Sequence, residues 1–256
     1  MITSHRNPKV KFAQQLRKSR VRRETGFFLV EGEREIRRAL QSGFEIAELF
    51  VTCEVDDVFL GLFESAQISV LRDDVFGKLV VRESGVRALA VAKNRVLTLG
   101  SLSLPNNPFV ISLEKVEKPG NLGAVIRTAD AVSASAVFLI DPVVDLFNPN
   151  VVRASLGTIF NVPVISVNRD EAVKFCRECR LNIVSTWPEG AEPYYDVDFC
   201  QPTNLVLGAE DTGLSDYWQE VSDRRIFLPM NGIADSLNLS VATGVLAYEA
   251  LRQRIY

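Results

Sequence analysis

Short apolar runs and longer helical patterns alternate along this chain, most clearly after residue 108. Continuous apolar stretches occur at 109–113, 137–140, 164–167, 183–185, 205–207 and 226–228. Unbroken runs of this length suit parallel strands covered on both faces. Between them the spacing predicts helices over 122–132, 151–159, 170–180 and 216–221. A long last helix over 239–255 carries Ala, Leu and Val at core-facing positions. The expected architecture is an open, mainly parallel α/β sheet whose ligands gather beyond the carboxyl ends of its strands.

The pattern before residue 98 is finer. Residues 9–18 are helix-like, the FFLVE stretch at 27–31 reads as a strand, and 33–41 as a charged amphipathic helix. Further strands are expected at 46–52, 68–71 and 88–92, which together make a small α/β sandwich. Ser, Pro and Asn cluster at 101–108 (SLSLPNNP). The expected organisation is therefore a domain of residues 1–97, a linker of 98–108 and a second domain of 109–256.

Composition narrows the chemistry. At 47% hydrophobic and 24% charged residues the chain has an ordinary globular balance. No apolar run approaches the roughly 20 residues of a spanning helix, and no signal-peptide core follows the basic N-terminus. A cytoplasmic protein without membrane association is expected. The single histidine, His5, argues against Ser-His-Asp, Cys-His and histidine-rich metal chemistry. Cys53, Cys176, Cys179 and Cys200 are too scattered for a disulfide framework. Cys176 and Cys179 form a CxxC with no second pair and no nearby histidine. They read as two half-buried residues on one helix face, and no metal site is expected. The net charge is -3, yet Arg6, Lys9, Lys11, Arg17, Lys18, Arg20, Arg22 and Arg23 all precede the first acidic residue, Glu24. Alone, this block fits a solvated tail as well as a footprint for phosphates.

Three strand-end loops stand out. The first, EKVEKPGNLGAVIR (114–127), has turn residues at Pro119, Gly120 and Gly123, a candidate helix cap in Asn121, and Arg127 nearly two turns into the helix. Arg127 is either a surface arginine or a bidentate grip for phosphate near the cleft. The second, LVLGAEDTGLS (205–215), runs from a strand into Gly208, Glu210 and Gly213, where glycine permits close backbone approach to a ligand. The third, IFLPMNGIADSLN (226–238), ends a strand at Pro229 and leads into the last helix with Ser236 or Asn238 as its cap. An anion-binding helix N-terminus and simple capping both fit that loop. None of the three is a Walker A loop or a GxGxxG motif.

Together the loops resemble the signature motifs of the SpoU (TrmH-type) RNA 2'-O-ribose methyltransferases of the SPOUT superfamily. NxGxxxR is matched by Asn121, Gly123 and Arg127; the GxE motif with its later glycine by Gly208, Glu210 and Gly213. The third motif is matched by Leu228-Pro-Met-Asn-Gly with Ser236-Leu-Asn-Leu-Ser-Val-Ala, and residues 145–164 are similar to the family's central segment. Asp211 and Thr212 depart from the glycine that many members carry after the motif-two glutamate. Residues 26–40, behind the basic block, resemble the ribosomal-protein-like RNA substrate-binding domain often attached to this unit.

The resemblance implies a deep trefoil knot in the parallel-sheet domain, a homodimer, and S-adenosylmethionine as cofactor, leaving S-adenosylhomocysteine. Thr186, Gly208, Leu228, Met230 and Leu237 would surround the cofactor. Arg127, Asn121, Glu210, Ser236 and Asn238 would form the catalytic set, with Arg127 as base or as orienter of the ribose. Arg17, Lys18, Arg20, Arg22 and Arg23 would contact RNA, which the attached domain makes ribosomal rather than transfer RNA. A tRNA 2'-O-methyltransferase and a non-catalytic ribosome-assembly protein of the same fold remain as alternatives.

Overall fold

The computed structural model describes residues 1–63, 67–81, 85–188 and 190–255. The chain begins α1 (Pro8–Gln15), α2 (Ser19–Thr25), β1 (Phe27–Glu31), α3 (Glu33–Gln41), β2 (Ile46–Val51), α4 (Asp57–Leu60), β3 (Gln67–Val70), α5 (Asp73–Phe76) and β4 (Ala88–Lys93). It continues β5 (Phe109–Glu114), α6 (Pro119–Ala131), β6 (Ala136–Ile140), α7 (Pro149–Ala154), β7 (Val164–Val167), α8 (Arg169–Glu178) and β8 (Asn182–Thr186). The last elements are β9 (Glu192–Pro193), β10 (Thr203–Leu207), α9 (Tyr217–Val221), β11 (Arg224–Phe227) and α10 (Leu239–Ile255).

These elements form two compact units: Met1–Arg95 with Asp145–Asn161, and Val96–Val144 with Val162–Tyr256. The division differs from a single cut near residue 98. Residues 145–161, read from sequence as part of the second domain, pack with the first unit.

The first unit holds a four-stranded sheet in the order β1-β4-β2-β3, antiparallel except for the β2–β3 pair. Val10 and Ala13 of α1 and Leu16 at its C-cap bury against Leu29, Phe50 and Leu89 of that sheet. The helix expected over 9–18 ends at Gln15, and a second helix that was not expected follows it. Lys18 is extended, and the chain restarts as α2, whose only buried residue is Arg22. Apolar periodicity cannot reveal a helix whose inward residue is charged. Arg22 donates from Nε to Asp145 Oδ2 at 2.8 Å and from Nη1 to the carbonyls of Leu16 and Arg17. Phe147 stacks on Phe28 with centroids 4.2 Å apart, and Phe160 meets Phe44 edge-on at 5.0 Å. The helix expected over 151–159 breaks after Ala154, because Leu156 turns left-handed (φ 54°) and only a 3-10 turn follows at Thr158–Phe160.

The second unit is a seven-stranded sheet in the order β7-β6-β5-β10-β8-β11-β9, with every neighbouring pair parallel. β5, β6 and β10 are buried at every position, as their unbroken apolar runs require. Two polar side chains inside pair across strands, whereas Trp218 Nε1 is buried without a hydrogen-bond partner. Ser112 Oγ donates to Asn204 Oδ1 at 2.7 Å across the β5–β10 pair, and Asn204 Nδ2 reaches Cys176 Sγ at 3.2 Å. Cys176 is thus a core residue while Cys179 is exposed at the end of α8, so the two do not share a half-buried face.

Sheet order positions the site. β10 lies between β5 and β8, and β11 follows β8, so the loops leaving β5, β10, β8 and β11 emerge from four successive strands. Sequence-distant segments meet at that edge.

Candidate active site

Four loops build one constellation in the second unit. A cavity of about 230 Å³ is lined by the ends of β8, β10 and β11 and by the start of α10. Its lining includes Thr186, Gly208, Leu228, Met230 and Leu237, the five residues expected around a cofactor, together with Glu210 and Ser236. Leu207, Ile226 and Leu246 make an apolar floor, and Glu210 and Asp235 supply carboxylates. No lysine, arginine or histidine lines it among the described residues.

Gly208 has a reason of its own. A Cβ built there would lie 2.1 Å from the carbonyl carbon of Gly213 and 2.3 Å from the nitrogen of Leu214. The loop folds back so that the Gly213 N–H donates to Ala209 O at 2.9 Å, with Gly213 left-handed at φ 65°. The close approach at Gly208 is therefore made by the chain itself. Asp211 and Thr212 sit exposed at the tip of this turn, where their side chains are tolerated without a glycine.

Glu210 is the hub. Asn121 Nδ2 donates to its Oε1 at 2.8 Å, Asn238 Nδ2 donates to the same oxygen, and the Leu239 N–H approaches it at 3.3 Å. Lys118 Nζ donates to Oε2. Lys118 above all, then Asn121 and the Leu239 N–H, hold the Glu210 carboxyl below the usual glutamate range. The Lys118 ammonium is raised in return. Asn121 is not a helix cap. The helix starts at Pro119, Lys118 stands at the N-cap, and Asn121 lies in the first turn with its side chain turned to Glu210. Asn238 does cap α10, accepting from the Ser240 N–H at 3.0 Å, whereas Ser236 faces the cavity.

Arg127 is outside this constellation. It is exposed on α6, makes no hydrogen bond or ion pair with any described residue, and does not line the cavity. The basic N-terminal residues also divide. Arg22 is buried on Asp145 and is thereby removed from any RNA-facing set, a correction its position in the basic block concealed. Arg17 is anchored to the carbonyls of Lys78 and Val80, and Arg20 pairs with Glu24. Lys18 and Arg23 are exposed without a partner among the described residues.

Sequence reasoning passed over Lys118, Glu114 and Trp187. Buried Glu114, at the end of β5, accepts from the N–H and Oγ of Ser215, both at 2.8 Å, and so ties the first loop to the second. Trp187 lines the cavity while its Nε1 donates to Ser185 Oγ at 2.7 Å. Lys118 and Glu114 stand inside the first motif loop, but only sheet neighbours disclose their roles.

No group of three or more His, Cys, Asp or Glu residues arranged to hold a metal occurs among the described residues. Nor is any helix among them long and apolar enough to cross a membrane.

Residues 108–248 match the model of the SpoU rRNA Methylase family, and residues 7–90 match the MRM3-like substrate binding domain. The chain is 30% identical over 250 residues to the 23S rRNA (guanosine(2553)-2'-O)-methyltransferase RlmP of Bacillus subtilis, covering 96% of this chain and 97% of that one. An AdoMet-bound rRNA methyltransferase from Sinorhizobium meliloti aligns with TM-score 0.91 at 29% identity, over 98% of this chain and 97% of the other. AviRb, a SpoU methyltransferase from Streptomyces viridochromogenes solved with the cofactor AdoMet, aligns with TM-score 0.90 at 29% identity, over 98% and 99%. The chain belongs to the SpoU rRNA Methylase family.

Proposed function

We propose that this protein transfers the methyl group of S-adenosylmethionine to a ribose 2'-hydroxyl of ribosomal RNA, of the large-subunit (23S) type, in the cytoplasm. The cavity carries the cofactor reading. Two carboxylates, an apolar floor and no basic side chain suit a ligand with a cationic sulfonium and ammonium, and oppose one bearing phosphates. The rRNA reading rests on the family, the substrate-binding domain and the names of the relatives.

The cofactor, when bound, supplies a methyl group on a sulfonium, open to in-line attack by an oxygen. The chain's own task is then chiefly orientation. Thr186, Gly208, Leu228, Met230 and Leu237 hold the cofactor, largely through backbone groups. Glu210 fixes Asn121 and Asn238, and Ser236 faces the ribose. The Arg127 guanidinium stays charged, so its part is to orient the hydroxyl and an adjacent RNA phosphate. Lys18 and Arg23 serve as phosphate contacts.

Arg127 reaches this site in a homodimer. The exposed Val241, Val245 and Tyr248 follow helical spacing along α10, an apolar stripe suited to a second copy. α6, which carries Arg127, packs on the same helix. Val245→Asp is expected to give a monomer by sedimentation and to lose activity.

The deciding experiment incubates ribosomal RNA with a labelled methyl donor and maps the modified ribose. Arg127→Ala should reduce transfer by roughly a hundredfold, while S-adenosylmethionine still changes the tryptophan fluorescence. Undiminished turnover in that variant would refute the assigned role.

A further inference from the structure

The Glu210 carboxylate takes donors on both oxygens. Oε1 serves Asn121, Asn238 and the Leu239 N–H, which all belong to the first loop or the start of α10. Oε2 serves Lys118. Without Lys118 the carboxylate could rotate or tilt, and the three groups on Oε1 would lose a fixed acceptor. Lys118 is itself held in place at the start of α6, directly before Pro119, so its backbone is constrained by the helix that bears Asn121.

We propose that Lys118 is a positioning residue of the active site: its ammonium fixes Glu210 and, through it, Asn238 and the first turn of α10, where the third loop closes on the cofactor cavity. The proposal rests on the functional reading above and adds to it a residue outside the motif positions. Its action is indirect. Lys118 lines a small recess behind Glu210 with Glu117, Asn121 and Asp211, and it does not line the cofactor cavity.

The charged groups around Glu210 are few. Lys118 faces it from the first loop; Glu117 and Asp211 lie in the recess and act on Lys118; Asp235 lines the cavity from the third loop. Lys118 is thus the cation that favours the ionised carboxylate. Removing it should let Glu210 take up a proton at a higher pH, so cofactor binding should fail earlier on acidification.

The test is calorimetric binding of S-adenosylmethionine to the full-length wild type, Lys118→Met, Lys118→Arg, Glu210→Gln and the Lys118→Met/Glu210→Gln double variant between pH 4.5 and 8. Lys118 is largely exposed, so Lys118→Met should weaken binding about threefold. Its acid limb should move to higher pH. Lys118→Arg should restore both, and in the Glu210→Gln background the lysine change should have no further effect. An unmoved acid limb, or losses that multiply in the double variant, would overturn the proposal. If the wild type itself binds no S-adenosylmethionine, the functional reading fails instead, and the two failures are told apart by that first titration.

Discussion

At Gly208 the excluded atom is a single methyl group, and what excludes it is the backbone of Gly213 and Leu214. Gly208→Ala should therefore destabilise the protein by about 2 kcal/mol through overpacking, and deform the turn that presents Glu210. A lowered urea midpoint together with lost S-adenosylmethionine binding is the expected result; a variant as stable as wild type would show that the turn yields. Cysteine reactivity divides on the same local grounds. Burial pushes the Cys176 thiol up to about 12, while Cys53, Cys179 and Cys200 are exposed. A thiol reagent at pH 8 should modify the three exposed cysteines in the folded protein and reach Cys176 only after denaturation.

Among the elements, α2 and α10 show how charge decides what propensity does not. α2 is docked by a buried guanidinium whose carboxylate partner, Asp145, comes from a distant segment. Asp145→Ala leaves that charge unpaired and should cost about 3 kcal/mol, measured by urea unfolding, whereas neutralising exposed Arg23 should change stability little. The salt dependence of RNA binding should respond in the opposite way, flattening for Lys18→Ala with Arg23→Ala. α10 begins on two supports, the Asn238 cap and the Glu210 carboxylate. Because the Glu210 carboxyl is lowered in the folded protein, its contribution to stability is complete above the ordinary glutamate range. It is lost as pH falls through the lowered value. Glu210→Gln should accordingly flatten the acid side of the stability profile, and a profile parallel to wild type would count against the network.

For the whole molecule, the exchange of residues 145–161 into the first unit has a direct consequence. A fragment of residues 1–97 lacks Asp145, Phe147 and Phe160, leaving Arg22 uncompensated and Phe28 and Phe44 uncovered. It should show no cooperative thermal transition by circular dichroism. A sharp transition close to that of the intact protein would mean that the segment is dispensable.

The strands other than the two-residue β9, and most helices, could be read from the sequence because burial leaves a local imprint. Unbroken apolar runs mark β5, β6 and β10, and a 3.6-residue period marks α3 and α8. The three loops and the family they resemble were equally legible, since motif residues keep their order and spacing along the chain. What no local pattern carries is the choice of neighbours. Sheet order alone sets β10 beside β5, which brings Glu210 to Asn121 and Lys118. The fate of Arg22 was decided by a carboxylate 123 residues away, and the need for glycine at 208 by a backbone that returns on itself. Strand pairing and ion pairing are non-local, and their free energies depend on groups that only the folded chain brings within a few ångströms of one another.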